Sequence, residues 1–125
     1  MKDPTNPVCR TISTLLSRIG DKWTVLVVQT LSDGSRRFNE LRREIPSVSQ
    51  RMLTLTLRNL ERDGLVSRTV TPTIPPRVDY ELTALGHSLQ KPVHELAQWA
   101  LDHVADINTA QQRFDAEQDA RAEAA

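Results

Sequence analysis

Residues 49–64 read Ser-Gln-Arg-Met-Leu-Thr-Leu-Thr-Leu-Arg-Asn-Leu-Glu-Arg-Asp-Gly, and this stretch decides the fold. It predicts a helix because it holds no proline and no glycine before Gly64, which suits the left-handed position that ends a helix. Ser49 is a suitable N-cap, since its hydroxyl can accept a hydrogen bond from the first turn. Leu53, Leu57 and Leu60 recur at helical spacing and therefore predict one buried stripe.

The opposite face of this helix is polar. Arginine hydrogen-bonds guanine, glutamine hydrogen-bonds adenine, and threonine contacts a base edge or a thymine methyl when a helix lies in a major groove. A polar outer face is also typical of surface helices with no partner, so the interpretation depends on the flanking segments. The residues on this face are Ser49, Gln50, Arg51, Thr54 and Arg58.

A shorter helix is predicted just before this stretch, over residues 38–45. Leu41 and Ile45 give it an apolar side, and Asn39 is a candidate N-cap. Pro46 should end it, because a proline ring clashes with the preceding helical turn. The chain then turns through Ser47 into the longer helix, which is the order of a helix-turn-helix.

The residues after Gly64 change from helical to extended periodicity. Residues 65–71 are β-branched and alternating, and residues 78–82 follow as a second strand. Arg68 and Arg77 stand near the two sides of the loop, where they could contact phosphates or a minor groove. Residues 36–38 are a candidate third strand. The predicted fold class is mainly α with a small β-hairpin, a winged helix-turn-helix whose loop is stiffened by Pro72, Pro75 and Pro76.

Charge is distributed unevenly along the chain, although the formal net charge is zero. Residues 36–77 hold nine arginines and four acids, whereas residues 102–125 hold six acids and two arginines. The basic residues of the first segment are all arginine, which suits forked contacts to phosphate and guanine. This segregation favours a nucleic-acid partner for the predicted helix-turn-helix.

The terminal segments predict a dimer. An amphipathic helix should begin at Arg10, and a long helix capped by Thr83 carries apolar residues at steps of three and four, which is close to a seam between helices. We divide the chain into a flexible arm at residues 1–8, one domain at 9–107 and an acidic tail at 108–125 that should fray. The predicted interface residues are Ile12, Leu15, Leu16, Ile19, Leu89, Val93, Leu96, Trp99, Ala100 and Val104.

Several function classes are disfavoured. A single cysteine forms no intramolecular disulfide, and the pair His94-Glu95 is followed by Gln98 where a zinc protease signature needs histidine. No phosphate-binding glycine loop and no catalytic triad pattern is present, so we predict no metal, no cofactor and no enzyme. The chain has no secretory signal and no long apolar run, which predicts a cytoplasmic protein that makes no membrane contact.

A set of short segments along the chain carries a resemblance to a known family. They are Cys9 and residues 19–23, 37–41, 49–53, 57–66 and 76–83, together with Gly86 and Trp99. On these residues the chain resembles the HxlR-type winged helix-turn-helix transcriptional regulators of bacteria, which are relatives of the MarR-type dimers. Asp21 departs from the family pattern, since it replaces a second glycine before Lys22-Trp23. The resemblance implies a homodimer that binds a pseudo-palindromic operator through two recognition helices and two wings.

Cys9 has two interpretations. In several members of the family a cysteine at this place senses oxidants or electrophiles, so the resemblance implies a small oxidant or electrophile as a further partner. A nearby helix N-terminus and the adjacent Arg10 would favour the reactive thiolate. The other interpretation is an inert thiol that packs at the dimer interface.

Two functional hypotheses follow from these patterns. The first is a sequence-specific DNA-binding transcriptional regulator that acts on double-stranded DNA as a homodimer. The second is a winged-helix module that binds protein through its arginine-rich face, since a fold alone does not fix a function. Under the first hypothesis the DNA contacts are Arg37, Asn39, Ser47, Ser49, Gln50, Arg51, Thr54, Arg58, Arg68 and Arg77.

Overall fold

The computed structural model describes residues 6–124, which form two compact units, the first ending at His94 and the second beginning at Glu95. The chain folds into five helices and three short strands within the described residues. In chain order they are α1 (Pro7–Ile19), α2 (Lys22–Leu31), β1 (Arg36–Arg37), α3 (Phe38–Glu44), α4 (Gln50–Arg62), β2 (Val66–Thr71), β3 (Arg77–Leu82) and α5 (Ala84–Ala124).

Helix α4 forms as its sequence predicts. The Ser49 hydroxyl accepts a hydrogen bond from the Met52 N–H at 3.1 Å, and Gly64 takes the left-handed conformation just beyond the helix with φ of 77°. The predicted stripe of Leu53, Leu57 and Leu60 is buried. Since burying one leucine side chain contributes about 1.5–3 kcal/mol, this stripe fixes which face of α4 looks outward.

Helix α3 differs from the prediction at its N-cap. It begins at Phe38 with Arg37 as N-cap, so Asn39 lies inside the helix and the prediction that Asn39 caps it is wrong. The reason is Glu40, whose carboxylate accepts a hydrogen bond from the Arg37 N–H at 3.0 Å and satisfies the helix start from the third helical position. The helix ends at Glu44, two residues before Pro46, as predicted.

The strands form one antiparallel sheet in the order β1-β3-β2. The hairpin pairs Val66 with Leu82 at its base and Thr71 with Arg77 at its outer end. The predicted third strand is confirmed at Arg36 and Arg37, which pair with β3. This pairing ties the start of α3 to the hairpin and so places the wing beside the helix-turn-helix.

One hydrophobic core holds the first unit together. Helices α2, α3 and α4 supply most of it, and the base of the hairpin and the start of α5 close it. Helix α2 is its central helix, and the Asp21 carboxylate caps it by accepting from the Trp23 N–H at 2.9 Å. The buried members are Val27, Val28, Leu31, Leu41, Ile45, Val48, Leu53, Leu57, Leu60, Leu65, Val66, Leu82 and Val93.

Helix α1 begins earlier than the sequence predicts, at Pro7 rather than Arg10. The Asn6 side chain accepts a hydrogen bond from the Val8 N–H at 2.9 Å, and a proline is well tolerated at the first helical position. Cys9 therefore lies in the first turn of α1 and not before it. Of the predicted arm, residues 1–5 lie outside the described residues.

A threonine and a glycine fix the start of α5 on the end of the helix-turn-helix. The Thr83 hydroxyl donates to the Gly64 carbonyl oxygen at 2.6 Å and accepts from the Gly86 N–H at 3.1 Å, which confirms Thr83 as the cap. Gly86 is buried, and a Cβ on it would collide with the Leu65 backbone carbonyl. The close approach of these two backbones therefore requires glycine.

Two predictions about α5 need correction. Val93 is 1% exposed and belongs to the core of the first unit, so it is not free to form a dimer contact. Residues 108–124 are helical to Ala124 and not frayed, because this stretch lacks glycine and proline and is rich in good helix formers such as alanine and glutamine. Within residues 6–124, no helix is both long and apolar enough to span a membrane.

Candidate nucleic-acid interface

The outer face of α4 is fully at the surface. Gln50, Arg51 and Thr54 are exposed on its first turns, and Arg58 is exposed one turn further on. The Thr54 hydroxyl donates to the Gln50 carbonyl oxygen at 2.8 Å, which leaves the hydroxyl oxygen able to accept from a base. The face thus offers forked donors, an amide that both donates and accepts, and a hydroxyl.

The structure brings the wing next to this face. Arg58 on α4 and Arg68 on β2 line the same open depression, together with Thr54, Glu61 and Tyr80. Two arginines ten positions apart in sequence therefore meet at one surface, beside the carboxylate of Glu61. Glu61 and Tyr80 are members of this surface that the sequence analysis did not single out. Glu61 follows Thr54 and Arg58 at helical spacing, which is the signal that could have found it. Tyr80 left no such signal, because the hairpin register decides which of its residues face α4.

A second open depression lies between α3 and the tip of the wing. Arg37, Asn39 and Arg43 line it from the α3 side, and the loop from Thr73 to Arg77 lines it from the other. Arg43 was missed by the sequence analysis. Asn39 and Arg43 are four residues apart on a helix and so share a face, which is the signal that could have found it.

Arg77 is held by its own strand. Its Nε donates to the Asp79 carboxylate at 2.9 Å, and this exposed ion pair raises the pKa of Arg77 through the hydrogen bond to Asp79 and the charge of Asp79. Arginine is fully charged at neutral pH in any case, so the pair serves to orient the guanidinium rather than to charge it.

Arg36, which precedes Arg37 on β1, has a structural role. Its Nε donates to Glu44 at 2.9 Å, and its Nη1 donates to the carbonyl oxygens of Gly34 and Ser35. It therefore ties β1 to the end of α3. In contrast, all ten residues predicted to contact DNA are exposed, including Ser47 in the turn between α3 and α4.

The residues predicted to form a dimer interface differ in exposure. In the first unit Leu15 and Leu16 are exposed on α1, whereas Ile12, Ile19 and Leu89 are half-buried. In the second unit Leu96, Trp99, Ala100 and Val104 are all exposed, and Trp99 stacks on His103 with ring centroids 4.4 Å apart. Exposed leucine and tryptophan at helical spacing form the kind of apolar stripe that partner helices cover.

Cys9 carries a free thiol that is half-buried in the first turn of α1. The far end of the same helix reaches α4: Arg18 Nη1 donates to both carboxylate oxygens of Asp63, at 2.6 and 2.5 Å. Asp63 is the C-cap of α4. The helix that carries the thiol is therefore joined by an ion pair to the helix that carries Gln50 and Arg51.

Residues 18–108 match the protein-family model described as HxlR-like helix-turn-helix. The chain belongs to the HxlR-like helix-turn-helix family. This HxlR-like protein is therefore a transcriptional regulator of the helix-turn-helix type rather than an enzyme, and DNA is the partner of its class.

Individual relatives agree with this assignment. The HxlR-like chain is 48% identical over 88 residues to an uncharacterised HTH-type transcriptional regulator from Methanothermobacter thermautotrophicus, covering 70% of this chain and 67% of that one. The reduced form of the redox regulator HypR superposes with a TM-score of 0.72 at 40% identity, covering 79% of this chain and 98% of HypR. The reduced form of the transcriptional regulator YodB from Bacillus subtilis gives 0.64 at 38% identity, covering 72% and 88%.

Proposed function

We propose that this HxlR-like protein is a homodimer that reads a pseudo-palindromic operator, with one copy of α4 in the major groove of each half-site. The exposed outer face of α4 is the observation that carries this proposal. Leu53, Leu57 and Leu60 hold the inner face in the core, so Arg51 and Thr54 lie on the outer side, and Gln50 is exposed in the first turn of the helix. The arginines of α3 and the wing flank this face, where they would bind the phosphates on either side.

A homodimer is supported by the exposed apolar residues of the two units. Leu15 and Leu16 in the first unit, and Leu96 and Trp99 in the second, would be covered by a second copy of the chain. Two-fold symmetry then presents two reading helices, whose separation must match about 34 Å between half-sites one turn of DNA apart.

Arg51→Ala is expected to weaken binding to the preferred operator by about 1–3 kcal/mol and to relax the choice of base at one position in each half-site. The same result is expected for Gln50→Ala at its own position. Arg77→Ala should instead weaken all duplexes alike, because it removes a phosphate contact. Equilibrium binding to a panel of duplexes, each with one substituted base pair, measures the difference.

Arg62→Ala is the matched control, since Arg62 is exposed in the last turn of the same helix, away from its N-terminal reading face. This variant should keep the full base preference. If Arg51→Ala also kept it, the assignment of the reading face to the outer side of α4 would be wrong.

We further propose that oxidation or alkylation of Cys9 switches DNA binding. The relative HypR is a redox regulator with separate reduced and oxidised structures, which supports this proposal. With one cysteine in the chain, a disulfide needs a second subunit or a small thiol, and two thiols lose two electrons and two protons to the oxidant. A shift of α1 would reach α4 through Arg18 and Asp63.

Cys9→Ser is expected to abolish any change in DNA affinity caused by diamide or by an electrophilic alkylating agent, while the affinity of the untreated protein stays the same. Gel-shift titrations of treated and untreated protein check this, with reduction by dithiothreitol as the test of reversibility. A response to diamide that persists in the Cys9→Ser protein would remove Cys9 from the mechanism.

A further inference from the structure

The tip of the wing presents one aliphatic side chain entirely to solvent. Ile74 is fully exposed, although it is among the most apolar residues of the chain. An isolated exposed apolar residue needs no explanation on an ordinary surface. Here it stands at the end of a hairpin whose two sides carry arginines, so its position relative to a partner is defined.

The tip is also stiff. Pro72, Pro75 and Pro76 surround Ile74, and each proline ring fixes one backbone dihedral. Thr73 closes the turn, because its N–H donates to the Thr71 carbonyl oxygen at 2.8 Å and its hydroxyl donates to the Pro75 carbonyl oxygen at 2.9 Å. Little conformational entropy remains to be lost when this tip is bound.

Cations flank Ile74 along the depression between the wing tip and α3. Arg37 and Arg43 line the depression on the α3 side, across from Ile74. Arg77 lies at the start of β3, on the side of the wing, and is oriented by Asp79. A polyanion held by these arginines would bring its backbone past the tip. Because α4 would fill the major groove, the groove beside it that the tip of the wing would meet is the minor groove of duplex DNA, which is about 6 Å wide.

We propose that Ile74 enters the minor groove beside each half-site as an apolar wedge that bends the operator. This inference rests on the DNA-binding function proposed above and adds a residue that acts on DNA shape rather than on base edges. An apolar side chain inserted at a base step partly unstacks it, and the neighbouring phosphate contacts offset the cost. The flanks of the operator should therefore favour flexible steps such as TA and CA, without a hydrogen bond to either base.

Ile74→Ser, Ile74→Leu and Val70→Ser test this wedge. Val70 is the control, since it is also an exposed aliphatic residue of the wing but lies on β2, below the tip. Each full-length protein is titrated onto the preferred duplex, the duplex bend is measured by energy transfer between dyes at its two ends, and the dimer is followed by analytical ultracentrifugation.

Ile74→Ser is expected to bind about tenfold more weakly, to bend the duplex less and to lose the preference for flexible flanking steps, while its half-site preference is unchanged. Ile74→Leu and Val70→Ser should behave like the wild type. An Ile74→Ser protein with wild-type affinity and bend overturns the wedge, as does a loss of affinity that accompanies a weakened dimer. Wild-type protein that binds every duplex equally would overturn the proposed function, and the wedge with it.

Discussion

The affinity of the dimer for duplex DNA is expected to fall by about a thousandfold to a hundred-thousandfold as salt rises from about 50 mM to about 200 mM. This range corresponds to roughly six to ten phosphate contacts, each of which releases a bound counterion. Five of the ten predicted contact residues are arginines in each chain, and all five are exposed. Binding isotherms at a series of salt concentrations measure the slope directly.

The same titration separates DNA binding from the alternative hypothesis of a protein-interaction module. Such a module would bind duplex DNA weakly if at all, and its affinity for a protein partner would follow ordinary surface screening. The same titration is made on a variant in which Arg58 and Arg68 are both changed to alanine. If both arginines bind phosphate, the salt dependence of its affinity should correspond to about two fewer phosphate contacts per chain. A slope that stays flat in the wild type would favour the interaction module.

Gly86→Ala is expected to lower the free energy of unfolding by about 3 kcal/mol. In an isolated helix the same change would stabilise by about 1 kcal/mol, because alanine has the higher helix propensity. The sign reverses here because the new Cβ would meet the Leu65 backbone carbonyl, which cannot swing aside as a flexible side chain would. Denaturant unfolding of both proteins at the same protein concentration checks the prediction.

His87→Ala is the control for this experiment. His87 is the exposed neighbour of Gly86 in the first turns of α5, so its replacement should change the free energy of unfolding by less than about 0.5 kcal/mol. If Gly86→Ala proved as stable as the wild type, the close approach of α5 to the end of the helix-turn-helix would not hold in solution.

The sequence predicts most of the fold because its signals are local. The leucine stripe and Ser49 define α4, Pro46 separates it from α3, and Gly64 ends it, since each of these acts through its own turn of backbone. The hairpin can also be predicted locally, because alternating β-branched residues favour strands and the prolines between them favour a loop.

The wrong or missed predictions concern positions where two helix caps compete, or where segments distant in sequence come into contact. Asn39 is a good cap in isolation, yet Glu40 satisfies a helix start whose N-cap, Arg37, lies two residues earlier. Val93 fits the seam of α5 by spacing, but spacing does not tell a core contact from a dimer contact. The approach of Gly86 to Leu65 joins segments about twenty residues apart and leaves no periodic signal.

The residues of the candidate interface also divide into those that local spacing predicts and those that only the fold brings together. The outer face of α4 follows from the leucine spacing, so Arg51 and Thr54 could be named from the sequence, and Gln50 follows from its place in the first turn. Tyr80 required the hairpin register, which only the folded chain supplies, whereas Arg43 could have been found from its spacing of four residues to Asn39.

The most direct test of the account is selection of bound duplexes from a random pool by the purified, reduced protein. We predict enrichment of one sequence and its inverted copy, with centres about 34 Å apart, because two α4 helices related by two-fold symmetry must lie one turn of DNA apart. Enrichment of a single half-site without its inverted partner, or no enrichment over the starting pool, would contradict the claim that the Gln50 and Arg51 face enters a DNA groove once from each subunit.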